Sequence, residues 1–168
     1  MFTLRDIQNR LDEMDVNYKM FDDGTIGFIL TAKQNFRFAV FISIDSFYCR
    51  TSFYTGIHFP EYNMKVLSKI NDFNKRYKIF SFHINEQNEN ELIIDGFIDT
   101  EYTSDIESVI DLIAREQYVL ENLYPETQKL ICLIKVDYVN GINLTSYRNV
   151  YRYMAVSHNR VNSNFSKR

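Results

Sequence analysis

Apolar positions follow two periods that alternate along the chain. Leu4, Ile7, Leu11 and Met14 recur at spacings of three and four, which predicts an amphipathic helix ending by Asp15. Thr3 caps it, with Asp6 three residues on. The period then drops to two. Tyr18–Phe21 and Ile26–Thr31 flank Asp23-Gly24, a pair that takes tight-turn conformations readily, so a hairpin is predicted. Phe36, Phe38, Val40, Ile42 and Ile44 alternate with Arg37, Ala39, Phe41 and Ser43. After a turn at Asp45-Ser46, Phe47, Cys49, Thr51 and Phe53 alternate with Tyr48, Arg50, Ser52 and Tyr54. Such a series with short connections reads as an antiparallel meander.

Helical spacing returns after Pro60, which is read as opening a helix with the apolar face Val66, Leu67, Ile70, Phe73 and Tyr77. Strands are predicted at Ile79–Ile84 and Glu91–Ile98, joined by a polar run. Ser104 and Glu107 make a capping box before Ile106, Val109, Ile110, Ile113 and Leu120. The long helix that follows is expected to end near Leu123, broken by Tyr124-Pro125, with a shorter helix through Leu130, Ile131 and Ile134. Runs of strands beside separate helices give an α+β fold class: an antiparallel meander sheet packed by helices.

Composition narrows the class. A chain of 168 residues with 45% apolar residues is one domain with a core of its own. Five glycines and two prolines exclude fibrous and disordered classes. No apolar run approaches the length that crosses a bilayer, so no membrane partner is expected. Met1 is followed by a charged amphipathic pattern and the two thiols, Cys49 and Cys132, are scattered; a cytoplasmic location is the expectation. Charge is uneven. Residues 1–134 hold 13 basic and 21 acidic groups, whereas residues 135–168 hold six basic and one acidic. The second stretch is read as a basic C-terminal extension, one helix and then a disordered end.

Candidate chemistry is sparse. His58, His83 and His158 lack metal-ligand spacing, and no glycine loop or nucleophile motif is present, so neither metal nor cofactor is expected. Asp95, Asp99, Glu101 and Asp105 are the strongest enzymatic alternative, since paired carboxylates can divide acid and base roles. Asp105 also suits a first helical turn and Asp99 and Glu101 a loop, so a non-enzyme is the expectation. In the extension, Arg148 and Arg152 can neutralise phosphate while Tyr147 and Tyr151 stack on bases, although the acidic chain weighs against nucleic acid. Tyr48, Tyr54 and Tyr62 fall on or near positions opposite the core set. Exposed tyrosine suits a protein interface, and these three are the candidate partner-binding residues.

The ordered elements resemble the YbjN family of bacterial sensory transduction regulators over about residues 3–134. The resemblance rests on the opening helix, on Val16-Asn17-Tyr18 entering a strand, and on Leu67-Ser68-Lys69-Ile70-Asn71-Asp72-Phe73-Asn74. It continues through Leu92-Ile93-Ile94-Asp95-Gly96-Phe97-Ile98 and closes at Tyr124-Pro125. It implies a fold similar to type III secretion chaperones and a non-enzymatic binding module. That module is often a homodimer, and it offers a sheet face or groove to a segment of another protein. Asn71 and Asn74 are expected to be structural, their amides bonding to nearby backbone. Function is thus expected to be chaperone-like or that of a regulatory adaptor. The alternatives are a nucleic-acid-associated regulator acting through the extension and a toxin-neutralising, immunity-type protein.

Overall fold

The computed structural model describes residues 2–33, 36–45, 47–102 and 105–141. Ser46 and Ser104, and Tyr147, Arg148, Tyr151, Arg152 and His158 in the extension, lie outside the described residues. Helix α1 spans Leu4–Glu13, with the Thr3 side chain accepting from the Asp6 N–H and Asp6 accepting in return. Four strands follow: β1 (Tyr18–Met20), β2 (Ile26–Thr31), β3 (Arg37–Ile44) and β4 (Tyr48–His58). Helix α2 (Met64–Arg76), strands β5 (Phe80–Asn85) and β6 (Glu91–Asp99), and helix α3 (Glu107–Gly141) complete the order.

All strand pairs are antiparallel, and the sheet order is β1-β2-β3-β4-β6-β5. The fold is α+β, a meander to which the β5–β6 hairpin adds with β6 innermost. Period-two burial assigns the faces. Phe28, Phe38, Val40, Ile42, Cys49, Phe53, Phe82 and Ile94 point one way and join a single core. Ile7 and Leu11 of α1, Val66, Ile70 and Phe73 of α2, and the apolar stripe of α3 join the same core. The Phe38 and Phe53 rings stack at 4.9 Å near its centre. The helices therefore cover one face of the sheet.

Three expected element bounds need correction. First, β4 runs on to His58: alternation continues past a bulge after Tyr54, with Thr55, Ile57 and then Phe59 buried like Phe53. The buried Glu91 carboxylate accepts from the Gly56 N–H at 2.8 Å and from Asn88, and the Thr55 hydroxyl donates to the Leu92 carbonyl at 2.7 Å. Burial pushes the Glu91 carboxyl above the usual range. Second, Pro60 does not open α2. Phe59 is buried and its N–H is held by the Asn90 carbonyl, so the chain stays non-helical until Asn63 caps Lys65 and Val66.

Third, Pro125 does not break α3. Proline costs the helix one backbone bond. Leu120, Leu123, Thr127, Ile131 and Ile134 nevertheless form one buried stripe on both sides of it. Thr127 donates to the Tyr124 carbonyl at 2.8 Å, and the Tyr124 ring stacks on Phe36 at 4.4 Å. Glu126 bridges to α2 through Arg76 at 2.7 Å and Lys69 at 2.6 Å. Arg76 first, then Lys69, pulls the Glu126 carboxyl down to about 2. Packing outweighs the local break, and α3 continues past residue 134 to Gly141.

Asn74 closes the outer edge of the sheet. Its amide accepts from the Phe82 N–H at 2.9 Å and donates to the Phe82 carbonyl at 3.0 Å, as a neighbouring strand would. The Phe80 N–H is taken by Tyr77. Asn71, expected to act similarly, is exposed, because one residue beyond Ile70 the helix has turned away from the sheet. Replacing Asn74→Ala should cost about 1–3 kcal/mol, since it strands two partly buried backbone groups. Concentration-dependent self-association should rise as well, because the freed edge can pair with another strand. Denaturant melts and light scattering at several concentrations check both, and a variant as stable and monodisperse as the parent would refute the edge-sealing role.

Candidate functional site

The opposite face of the sheet is built from alternate residues in cross-strand rows. Ile29, Ala39, Tyr54, Ile93 and His83 make one row across β2, β3, β4, β6 and β5. Gly27, Phe41, Ser52, Asp95 and Ser81 make the next. Arg50 pairs with Phe97 and Tyr48 with Asp99 in the rows beyond. Among the described residues, no helix is packed on this face.

Aromatic packing on it is uneven. Tyr54 meets Phe41 edge-on at 5.0 Å, and Phe41 lies 5.8 Å from Phe21. These rings fit because residue 27 is glycine: a Cβ there would come within 2.8 Å of Phe21 and 3.0 Å of Phe41. Tyr54 is half-buried, whereas Tyr48 and Phe97 are 48% and 52% exposed. The structure brings Tyr48 and Tyr54 onto one face. Tyr62 is exposed too, but it stands in the loop before α2 and belongs to no strand row.

Asp95 organises the centre. It is 4% exposed, although it lies on the uncovered face. Oδ2 accepts from Arg50 Nη2 at 2.7 Å, and Oδ1 accepts from the Ser52 hydroxyl at 2.7 Å. His83 Nδ1 stands 3.5 Å from Oδ2. Arg50 also lies over the Phe97 ring, 5.9 Å from its centroid, and stays half-exposed. Serine, aspartate and histidine meet here in the wrong order for nucleophilic catalysis. The carboxylate sits between the other two, so the histidine has no contact through which to take the serine proton.

The other carboxylates do not converge on it. Asp99 accepts from the Glu101 N–H at 2.8 Å, and Asp105 accepts from the Glu107 N–H at the start of α3. Among the described residues, no group of three or more His, Cys, Asp or Glu side chains is placed to hold a metal ion. His58 Nδ1 faces the Glu89 carbonyl at 3.3 Å, apart from His83. Cys49 is buried, and burial with Glu116 nearby pushes its thiol up to about 12, while Cys132 is exposed. No helix among the described residues is long and apolar enough to cross a membrane.

Beneath Asp95, on the helix side of the same ladder, lies a buried acid not singled out from the sequence. Glu116 of α3 is fully buried, and neither carboxyl oxygen has a hydrogen-bond partner; the Thr51 hydroxyl and the Gly96 backbone are polar groups beside it. Desolvation, with the Asp95 charge adding to it, pushes its carboxyl up to about 9, so the group is held as a neutral acid. A signal was present. Val109, Ile113, Leu120 and Leu123 set a stripe at helical spacing, and residue 116 occupies a position where that stripe calls for an apolar side chain. Arg50, Ser52 and His83 gave no comparable signal, because their meeting depends on the register of three strands.

No protein-family model matches the chain, and neither does any curated protein or solved structure.

Proposed function

We propose that the chain is a non-enzymatic protein-binding module, chaperone-like or a regulatory adaptor, that buries a segment of another protein on the open sheet face. The observation that carries this reading is the one-sided packing of the sheet. Helices occupy one face, while the other presents Tyr48 and Phe97, each about half exposed, around a prearranged polar centre. Apolar area left open in this way is characteristic of interaction sites. Edge pairing is the less favoured route: Asn74 and Tyr77 occupy the outer side of β5, and β1 is only three residues long. The resemblance to YbjN proteins points to the same class of function.

The test is affinity capture from host lysate, with and without nuclease, comparing the parent with Tyr48→Ser and Phe97→Ser. Both side chains are peripheral to the core, so the variants should melt like the parent. A protein retained by the parent after nuclease, and reduced at least about fivefold by either variant, is the expected result. Equal retention by all three would reject the open face, and retention lost on nuclease treatment would reject a protein partner.

A further inference from the structure

The chemistry of the open face narrows its partner, on the reading just given that this face receives a protein segment. Among the charged residues in the strand rows of this face, the cations are Lys19, Arg37 and Arg50 and the carboxylates are Glu91, Asp95 and Asp99. These carboxylates are not equally accessible. Asp95 is 4% exposed and occupied by Arg50 and Ser52, and Asp99 is half-buried and turned to the Glu101 N–H. At the start of β6, Glu91 is likewise buried, folded into the β4 bulge. Lys19, Arg37 and Arg50, by contrast, are all exposed. The strand rows of this face therefore expose cations to solvent more than carboxylates, on a domain whose residues 1–134 carry 13 basic and 21 acidic groups.

Arg50 is the most prearranged of these cations. Asp95 takes one nitrogen of its fork, and Phe97 lies beneath the guanidinium. A fixed guanidinium loses less entropy on binding a carboxylate than a mobile lysine does, and a planar fork recognises the carboxylate shape. We propose that the open face binds an acidic peptide segment. A partner carboxylate is received by the outward side of the Arg50 fork, and Phe97 and Tyr48 supply the apolar contacts beside it. Asp95 is a positioning residue in this arrangement, holding Arg50 in place.

A nucleic acid strand would also meet these cations, but the face suits it less well. Base stacking needs open ring faces. Phe41 and Tyr54 are spent on each other and Arg50 lies over the Phe97 ring, so the half-exposed Tyr48 and Phe97 offer too few open ring faces for a run of bases. Three cations also release few counterions, and the acidic remainder of the domain repels a polyanion.

Selection of short random peptides displayed on phage, against the full chain, tests the proposal. Recovered peptides are then titrated against the parent, Arg50→Gln, Arg50→Lys, Tyr48→Ser and Phe97→Ser, with oligothymidylate as competitor. Recovered sequences should be enriched in Asp and Glu beside aromatic or aliphatic residues. Arg50→Gln should weaken them at least about tenfold and Arg50→Lys less, with melting temperatures of both close to the parent's. Peptides without acidic enrichment that bind Arg50→Gln as tightly as the parent would overturn the acidic preference. If Phe97→Ser or Tyr48→Ser still weakened those peptides, the open-face reading itself would stand. Binding unmoved by all four variants, or no recovered peptide, would overturn both. Displacement by oligothymidylate at lower concentration than free peptide would overturn the proposal in favour of a nucleic acid.

Discussion

Glu116→Leu is expected to stabilise this protein, and to do so more strongly as the pH rises. The carboxyl is fully buried without a hydrogen-bond partner and is held neutral, its folded-state value pushed from 4.5 to about 9. In the unfolded chain the same group ionises near its ordinary value. Between about pH 4.5 and 9 the folded state therefore carries a proton that the unfolded state has lost, so stability falls as pH rises. The slope approaches about 1.4 kcal/mol per pH unit, which amounts to roughly 3 kcal/mol by neutral pH. Leucine has similar volume and nothing to ionise, and it continues the stripe of Leu112 and Leu120. At pH 7 the variant should melt about 5–10 °C higher than the parent, with a smaller difference at pH 5. Melts across pH 5–8 check this. Parallel pH profiles for the two proteins would mean that Glu116 does not fold as a buried neutral acid.

Gly96→Ala should act in the opposite direction at the same place. A Cβ at residue 96 would approach Thr51 Oγ1 to 2.8 Å, Glu116 Oε1 to 2.9 Å and Leu112 Cδ2 to 2.9 Å, closer than real contacts allow. Overpacking of this kind costs about 1–3 kcal/mol, so the melting temperature should fall by several degrees. Part of that cost comes from crowding the Glu116 carboxyl. In Glu116→Ala, which empties that space, the further change Gly96→Ala should therefore be much milder. A double-mutant cycle measures the difference, expected as a coupling of about 1 kcal/mol. A cycle that closes to zero would remove Glu116 as the reason residue 96 is glycine.

These two effects share a cause with the candidate site. Asp95 and Gly96 are consecutive in β6, so one lies on the open face and the other on the core face, each opposite a β4 residue, Ser52 and Thr51. The polar centre of the open face and the buried acid are thus stacked through a single step of the ladder. Charge on Asp95 raises the Glu116 carboxyl through the sheet, after the larger contribution of desolvation.

How much of this was legible beforehand differs by level. Alternation in 36–54 and the three-four spacings of α1, α2 and α3 carry the element order and the sidedness of each element, because burial on one face imposes a period on any sequence that folds that way. The Thr3 cap and the Asp23-Gly24 turn were local as well, since side chain and backbone two or three residues apart settle them. Element boundaries were not. Pro60 and Pro125 are strong local signals, yet Asn63 set the start of α2, and packing of Tyr124, Thr127 and Ile131 carried α3 through its proline. Local preferences of a few kcal/mol yield to a buried apolar stripe worth more.

Periodicity along the chain carries the α+β class, most of the core, and which side chains of each strand share a face. What those side chains meet depends on how the strands assemble. Asp95 stood out in the chain as one of several acids. Pairing of β4, β5 and β6 turned it into the partner of Arg50, Ser52 and His83, residues more than ten positions away. Tyr48 and Tyr54 could be named as facing away from the core, but their unequal exposure, and the loop position of Tyr62, depended on neighbours from other segments. Periodicity encodes a direction for each side chain. Register between strands distant in sequence determines the company it keeps, and one residue of slip would have changed every partner.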